Sequence, residues 1–230
     1  DGALTGLTAH SDGGIVVGME KRMTTTDYFR RPETNRPAEL VYGVVREPPT
    51  PFYSHQRVVG QLFLLLRTHV DERGLGDVCV SPMDVVLDKE AGLIVQPDVL
   101  FISNERSSII QNHVWGAPDL VVEVASPSTA HRDRTLKLSW YRKYGVRECW
   151  FVYPHEQRVE VADCTDAGRQ SFAGAQEIRS RVLPELAVKA EESSTNGPSS
   201  WWRDSNISRI IGMTTPASRR AVHGMRETRT

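Results

Sequence analysis

The sequence predicts a single α/β or α+β domain built around a mixed central β-sheet flanked by helices. Three observations predict it. Short β-prone apolar runs recur from residue 38 to about residue 188. Two amphipathic helical patterns interrupt them. The segments between are short and rich in Gly, Pro and Ser. The 230 residues suffice for one ordinary domain with tails, and 39% hydrophobic against 25% charged is a globular balance.

The elements follow in chain order. "AELVYGVV", 38–45, reads as a strand and "PPTP", 48–51, as a rigid break. Ser54 is placed to cap a helix running from about His55 to Glu72. Val58, Val59, Leu62, Leu65, Leu66 and Val70 form its apolar stripe, and "RGLG", 73–76, closes it. Strands are expected over 77–88 and 93–102, joined by the short "KEAG" as an antiparallel hairpin, and over 119–126. In "SPST", 126–129, Ser128 or Thr129 would cap a second helix over 131–144, ended by Gly145. "ECWFVYP" and "RVEVADC" read as a further hairpin, and a last strand pair is expected near 169–173 and 180–188.

Residues 23–190 are the expected domain. Residues 1–22 are expected to be a disordered extension, with Met19 or Met23 as the natural start, and their opening lacks the pattern of a signal peptide. Residues 191–230 read as a polar linker and a disordered basic tail, whose six arginines against Asp204 and Glu227 make +4 and leave −5 for the rest. Trp201 and Trp202 are free to dock on the domain or not. The net charge of −1 supplies no global attraction to nucleic acid or to a membrane surface. No apolar run reaches the roughly 20 residues of a membrane span. Cys79, Cys149 and Cys164 have no zinc-ligand spacing and read as free thiols, which points to a reducing, cytoplasmic compartment.

Carboxylates inside the most β-prone runs carry the functional signal. "QPDVLF" holds Asp98, and "PDLVVEVASPST" holds Asp119 and Glu123. Both faces of these strands are apolar, as in central strands covered on two sides. An ionised carboxylate there is costly unless paired or bound to a cation. Asp84, in "PMDVVLD", is a weaker member, and Asp119 at a strand start suits a structural hydrogen bond. At about 100° per residue, Lys137 falls within the arc of Leu136, Trp140, Tyr141 and Tyr144 that should face the sheet, with Asp133 on the same side. Two acids could hold Mg2+ with waters, and a nearby lysine could orient or deprotonate an attacking water, or offset charge on a phosphate. The competing reading is a structural ion pair of Asp98 and Glu123 with Lys137 or Arg132.

The order "PAELVYGVV", "PPTPFYSHQRVVGQL", "VQPDVLFIS", "GAPDLVVEVASPST" with Asp133, Lys137 and Tyr141, then "YGVRECWFVYP", resembles the Uma-two family of restriction-endonuclease-like proteins. That family belongs to the PD-(D/E)xK superfamily, and the similarity spans about residues 23–188. The resemblance implies a restriction-endonuclease-like fold, a mixed sheet flanked by helices, and metal-dependent phosphodiester hydrolysis. It assigns Asp98 and Glu123 as catalytic and metal-holding acids. The superfamily lysine two positions after the acid is replaced here by Ala125, so Lys137 takes the part of a migrated lysine. Glu39 and His55 match further family positions, as an additional acid and as a contact to substrate or water.

The leading expectation is a Mg2+-dependent endonuclease acting on DNA, with Mn2+ as an alternative cation. All candidate ligands are oxygens, and no thiol or imidazole cluster accompanies them. The alternative is a catalytically inactive nucleic-acid-binding or regulatory module on the same fold. A third is a homodimerisation unit using aromatics such as Trp115, Trp150 and Tyr153, residues that more often fill a core.

Overall fold

The computed structural model describes residues 22–32, 36–125, 130–166 and 168–193. The expected N-terminal extension, the basic tail, Trp201, Trp202, the caps at Ser128 or Thr129 and the side chain of Asp133 lie outside the described residues. The chain folds as a mixed α/β structure with two mixed sheets rather than one. The first sheet has five strands: β1 (Glu39–Val41), β2 (Val44–Arg46), β4 (Val85–Asp88), β5 (Leu93–Val95) and β7 (Val114–Trp115), in the order β2-β1-β5-β4-β7. The second has six: β3 (Gly76–Val80), β6 (Val99–Ser103), β8 (Leu120–Val124), β9 (Glu148–Tyr153), β10 (Arg158–Asp163) and β11 (Arg169–Ala173), in the order β11-β10-β9-β8-β6-β3. Only β4–β7 and β8–β9 pair in parallel.

The split has a legible cause. The expected hairpin over 77–102 does form, but it is cut in two. Its outer part pairs β3 with β6, Val80 opposite Val99, and its inner part pairs β4 with β5, Val85 opposite Val95. Extending the β3–β6 register sets Pro82 opposite Pro97. Neither residue has an N–H to donate, so the ladder stops there. Ser81 still donates its N–H to the Asp98 carbonyl at 3.0 Å, and beyond that point the hairpin passes into the other sheet. Gln96 and Asp98 therefore sit at the seam between the sheets.

Three more expectations change. The run 38–45 is not one strand but a tight β1–β2 hairpin, turned by Tyr42 (φ 50°) and Gly43 (φ 84°). Both angles lie in the left-handed region that such a two-residue turn requires. The 180–188 segment is irregular, and an isolated bridge between Glu177 and Lys189 flanks it. Ser180 and the Arg181 N–H are drawn instead to the buried Glu148 carboxylate, which also accepts from Trp150. Ser54 does not cap the first long helix, α2 (Tyr53–Arg73); Phe52 occupies the N-cap without a side-chain hydrogen bond. A short helix, α1 (Thr25–Phe29), was not anticipated, although Thr24 and Asp27 make a reciprocal capping box.

Two cores hold these layers. Val58, Val59, Leu62, Leu66 and Val70 of α2 pack on one face of the six-stranded sheet, against Phe101, Val122 and Trp150. On its other face Leu100, Val121 and Cys149 meet both the five-stranded sheet and helix α3 (Ala130–Tyr144), through Leu138, Trp140 and Tyr141. Trp150 and Tyr153 are buried and Trp115 packs against a third cluster, so all three aromatics serve the interior. Among the described residues no helix is long and apolar enough to cross a membrane.

Asp119 is the structural carboxylate of this fold, as its sequence position suggested. It is 0% exposed, accepts from the Ser103 N–H at 2.7 Å and faces Arg147 at 3.0 Å. Asp119→Ala strands that N–H and should cost about 2–3 kcal/mol. Urea unfolding measures this, and a loss below about 0.5 kcal/mol would contradict the structural role.

Candidate active site

The β6–β8 register dictates where two of the acids meet. Val99 pairs with Val122, so one further step sets Asp98 opposite Glu123. Opposed residues of an antiparallel pair share a face, with Cβ atoms about 5 Å apart. That face is the one covered by α3. Asp98 Oδ2 accepts from the Val124 N–H at 2.7 Å, which pins the carboxylate at the end of the ladder.

Helix α3 presents an inward stripe of polar heads at positions 134, 137, 141 and 144, one helical face. Each head finds an acid. Arg134 donates to Glu160 at 2.8 Å, and Tyr144 donates to Asp88 at 2.8 Å. The Tyr141 hydroxyl donates to Glu123 Oε1. Lys137 Nζ lies 3.1 Å from both Glu123 oxygens and 3.0 Å from Glu39 Oε1. Leu136, placed in the inward arc by the sequence reading, is instead 37% exposed, and the buried arc is centred on Lys137, Leu138 and Tyr141.

Asp98, Glu123, Lys137, Glu39 and His55 all line one cavity of about 260 Å3 at the seam of the two sheets. His55 sits in the first turn of α2, with Nε2 3.2 Å from the Val124 carbonyl oxygen and 3.5 Å from Asp98 Oδ2. Its Nδ1 is buried without a partner. Asp84 is not brought to the cavity. It accepts from Gln96 Nε2 at 2.8 Å and from the Tyr28 hydroxyl at 3.2 Å. Gln96 is the residue that sequence reasoning missed: its backbone N–H donates to Glu39 Oε1 at 3.1 Å, and it lines the cavity. The "QPD" run, read for its aspartate alone, supplies both the break in the hairpin and the clamp on Glu39.

The site holds three carboxylates against Lys137, their side chains only 14–19% exposed, while Arg134, the other cation lining the cavity, is paired with Glu160. Burial pushes the Glu123 carboxyl up to about 7, with Asp98 and Glu39 adding to the rise and the Lys137 ammonium opposing it. Burial alone would lower the Lys137 pKa, but Glu123 and Glu39 outweigh it and hold the ammonium protonated well above its ordinary range. His55 is raised by its hydrogen bond to Asp98, against the opposing effect of burial. Burial and the neighbouring carboxylates thus favour the protonated form of Glu123. A hard divalent cation would relieve the same repulsion, and the donor set suits one. Among the described residues no three Asp, Glu, His or Cys side chains close into a protein-only metal cage. Mg2+ needs none, because it keeps several waters and uses one or two carboxylates.

The shift has a stability consequence. Glu123 binds its proton more tightly folded, about 7, than at its ordinary 4.5, so the native state holds the extra proton between those values. Its contribution is then complete below about pH 4.5 and lost as pH rises through 7. In chelator, wild type should lose up to about 3 kcal/mol relative to Glu123→Gln over that interval. Urea titrations at stepped pH check this, and parallel curves for the two proteins would refute it.

The model of the Uma2 family, described as "Putative restriction endonuclease", matches residues 25–191. A solved structure from Anabaena variabilis, described as a "putative nuclease", is similar with a TM-score of 0.65 and 18% identity, covering 74% of this chain and 97% of its own. At that identity the likeness speaks for the fold. No curated protein matches the sequence. With the family model covering most of the residues that build both sheets, both long helices and the cavity, the chain belongs to the Uma2 family.

Proposed function

We propose that this protein is a divalent-metal-dependent endonuclease that hydrolyses phosphodiester bonds in DNA. The observation that carries the proposal is the meeting of Asp98, Glu123 and Lys137, from a strand edge, a strand and a helix, in one cavity. Membership of a family described as "Putative restriction endonuclease" supports a nucleic-acid substrate.

Asp98 and Glu123 would hold Mg2+, or Mn2+, together with waters. Bound there, the cation supplies Lewis-acid charge beside the scissile phosphate. The remaining tasks fall to the chain. The Val124 N–H and the Tyr141 hydroxyl fix the two carboxylates, so no reorganisation is needed when substrate arrives. Lys137 stays protonated, so it acts as a donor rather than as a base. It orients the attacking water and stabilises charge building on the phosphate oxygens. Glu39, itself clamped by the Gln96 N–H, holds the ammonium from the other side. The first turn of α2 faces the cavity with no acidic residue in it, so its backbone N–H groups favour a phosphate at that wall.

Two measurements test this reading. Glu123→Ala, checked by circular dichroism to be folded at the assay temperature, should reduce cleavage of whichever of plasmid and circular single-stranded DNA wild type cuts in Mg2+ at least about a hundredfold; cleavage at the wild-type rate would sink the assignment. At pH 8, Mg2+ should raise the melting temperature of wild type but not of Asp98→Asn. Equal shifts in both would remove Asp98 from the cation site.

A further inference from the structure

Resting on the reading of the cavity as a phosphodiesterase site, we propose that Phe52 and Tyr53 form a stacking platform for an unpaired nucleobase. The preferred substrate is then a single strand, or a locally unpaired one, rather than regular duplex.

Phe52 is 75% and Tyr53 84% exposed, more than any other large hydrophobic residue described. A single exposed aromatic is ordinary, but two adjacent ones beside a cavity that holds three carboxylates mark a contact surface. Phe52 lines the cavity itself. Its position also breaks a local rule. The N-cap of a helix favours Ser, Thr, Asp or Asn, whose oxygen would accept a free backbone N–H. Here the N-cap of a 21-residue helix is a phenylalanine with no capping hydrogen bond, although Ser54 stands two residues away. Helix stability is given up, and a bare ring is held at the rim. Such local conflicts concentrate where a surface has another task.

The backbone leading to the rings is constrained. Pro48, Pro49 and Pro51 precede them and line the same cavity, and fixed proline φ angles leave that wall little freedom. One helical turn further on, His55 reaches Asp98 and the Val124 carbonyl. A base resting on the platform is therefore tethered close to the phosphate that the carboxylates would address. Aromatic rings stack on any base, because every base has a π-face. A duplex keeps its bases stacked inside and offers only its outer edge. It must unpair to bring a base to these rings, and must deform to present a phosphate to carboxylates that are 15–19% exposed within a cavity of about 260 Å3. A flexible strand can do both.

The test is fluorescence anisotropy in chelator, where nothing is cleaved. The probes are labelled single-stranded DNA, single-stranded RNA of the same sequence, and the blunt duplex. Wild type should bind at least one single strand about tenfold more tightly than duplex. F52A/Y53A should lose about tenfold on that strand and nothing on duplex, and F52W/Y53W should restore binding. Duplex bound as tightly as either single strand, or full single-strand affinity in F52A/Y53A, overturns the platform. So does a dimer in size-exclusion chromatography that F52A/Y53A dissociates, because the rings would then serve a second copy of the chain. A protein that stacks single strands through these rings but cleaves nothing with Mg2+ or Mn2+ keeps the platform and loses the nuclease reading. One that cleaves while F52A/Y53A binds unchanged does the reverse.

Discussion

The Lys137 ammonium, held between Glu39 of one sheet and Glu123 of the other, is the contact on which the site depends. Three largely covered carboxylates, 14–19% exposed, repel one another in a single cavity without a counter-charge. Each close contact contributes roughly 4 kcal/mol at the effective dielectric of a protein near its surface. Stripping water from each ion costs several kcal/mol in return. With four charges gathered, the two effects offset, and the cluster adds no clear net stability. The flanking apolar packing of α2 on one face and α3 on the other must hold it in place.

The seam between the sheets supplies the room for this cluster. Had the long hairpin stayed in one sheet, Asp98 would be one more ladder residue and Glu39 would have no route to Lys137. Because Pro82 and Pro97 interrupt the ladder, the chain opens where Gln96 and Asp98 stand. Gln96 then serves two acids at once, donating its side chain to Asp84 and its backbone N–H to Glu39. Asp84 thus acts at one remove, holding the residue that holds the acid.

The polar stripe of α3 inverts the usual amphipathic helix. Arg134, Lys137, Tyr141 and Tyr144 turn inward, and each is satisfied by an acid on a strand or strand end. The apolar packing of this helix runs beside that stripe, through Leu138 and Trp140, and Tyr141 belongs to both through its hydroxyl and its ring. Its inward lysine is the anomaly that reveals the site, whereas the uncapped start of α2 is the anomaly that reveals the rim.

Local patterns alone determined much of this protein. Period 3.6 marked both long helices, the apolar runs marked the central strands, and the cost of burying charge singled out Asp98, Glu123 and Lys137. The two long helices and the central strands formed where those patterns put them, because spacing in sequence dictates which face a side chain occupies, and Asp98, Glu123 and Lys137 line one cavity. Only the tertiary structure decided the division into two sheets, the diversion of Asp84, the clamp of Gln96 on Glu39 and the exposure of Phe52 and Tyr53. Each of these is set by which strand lies beside which across tens of residues. The paired prolines were visible in the sequence, but their meeting was not: it needs the register of one strand against another, and register is a property of the assembled ladder.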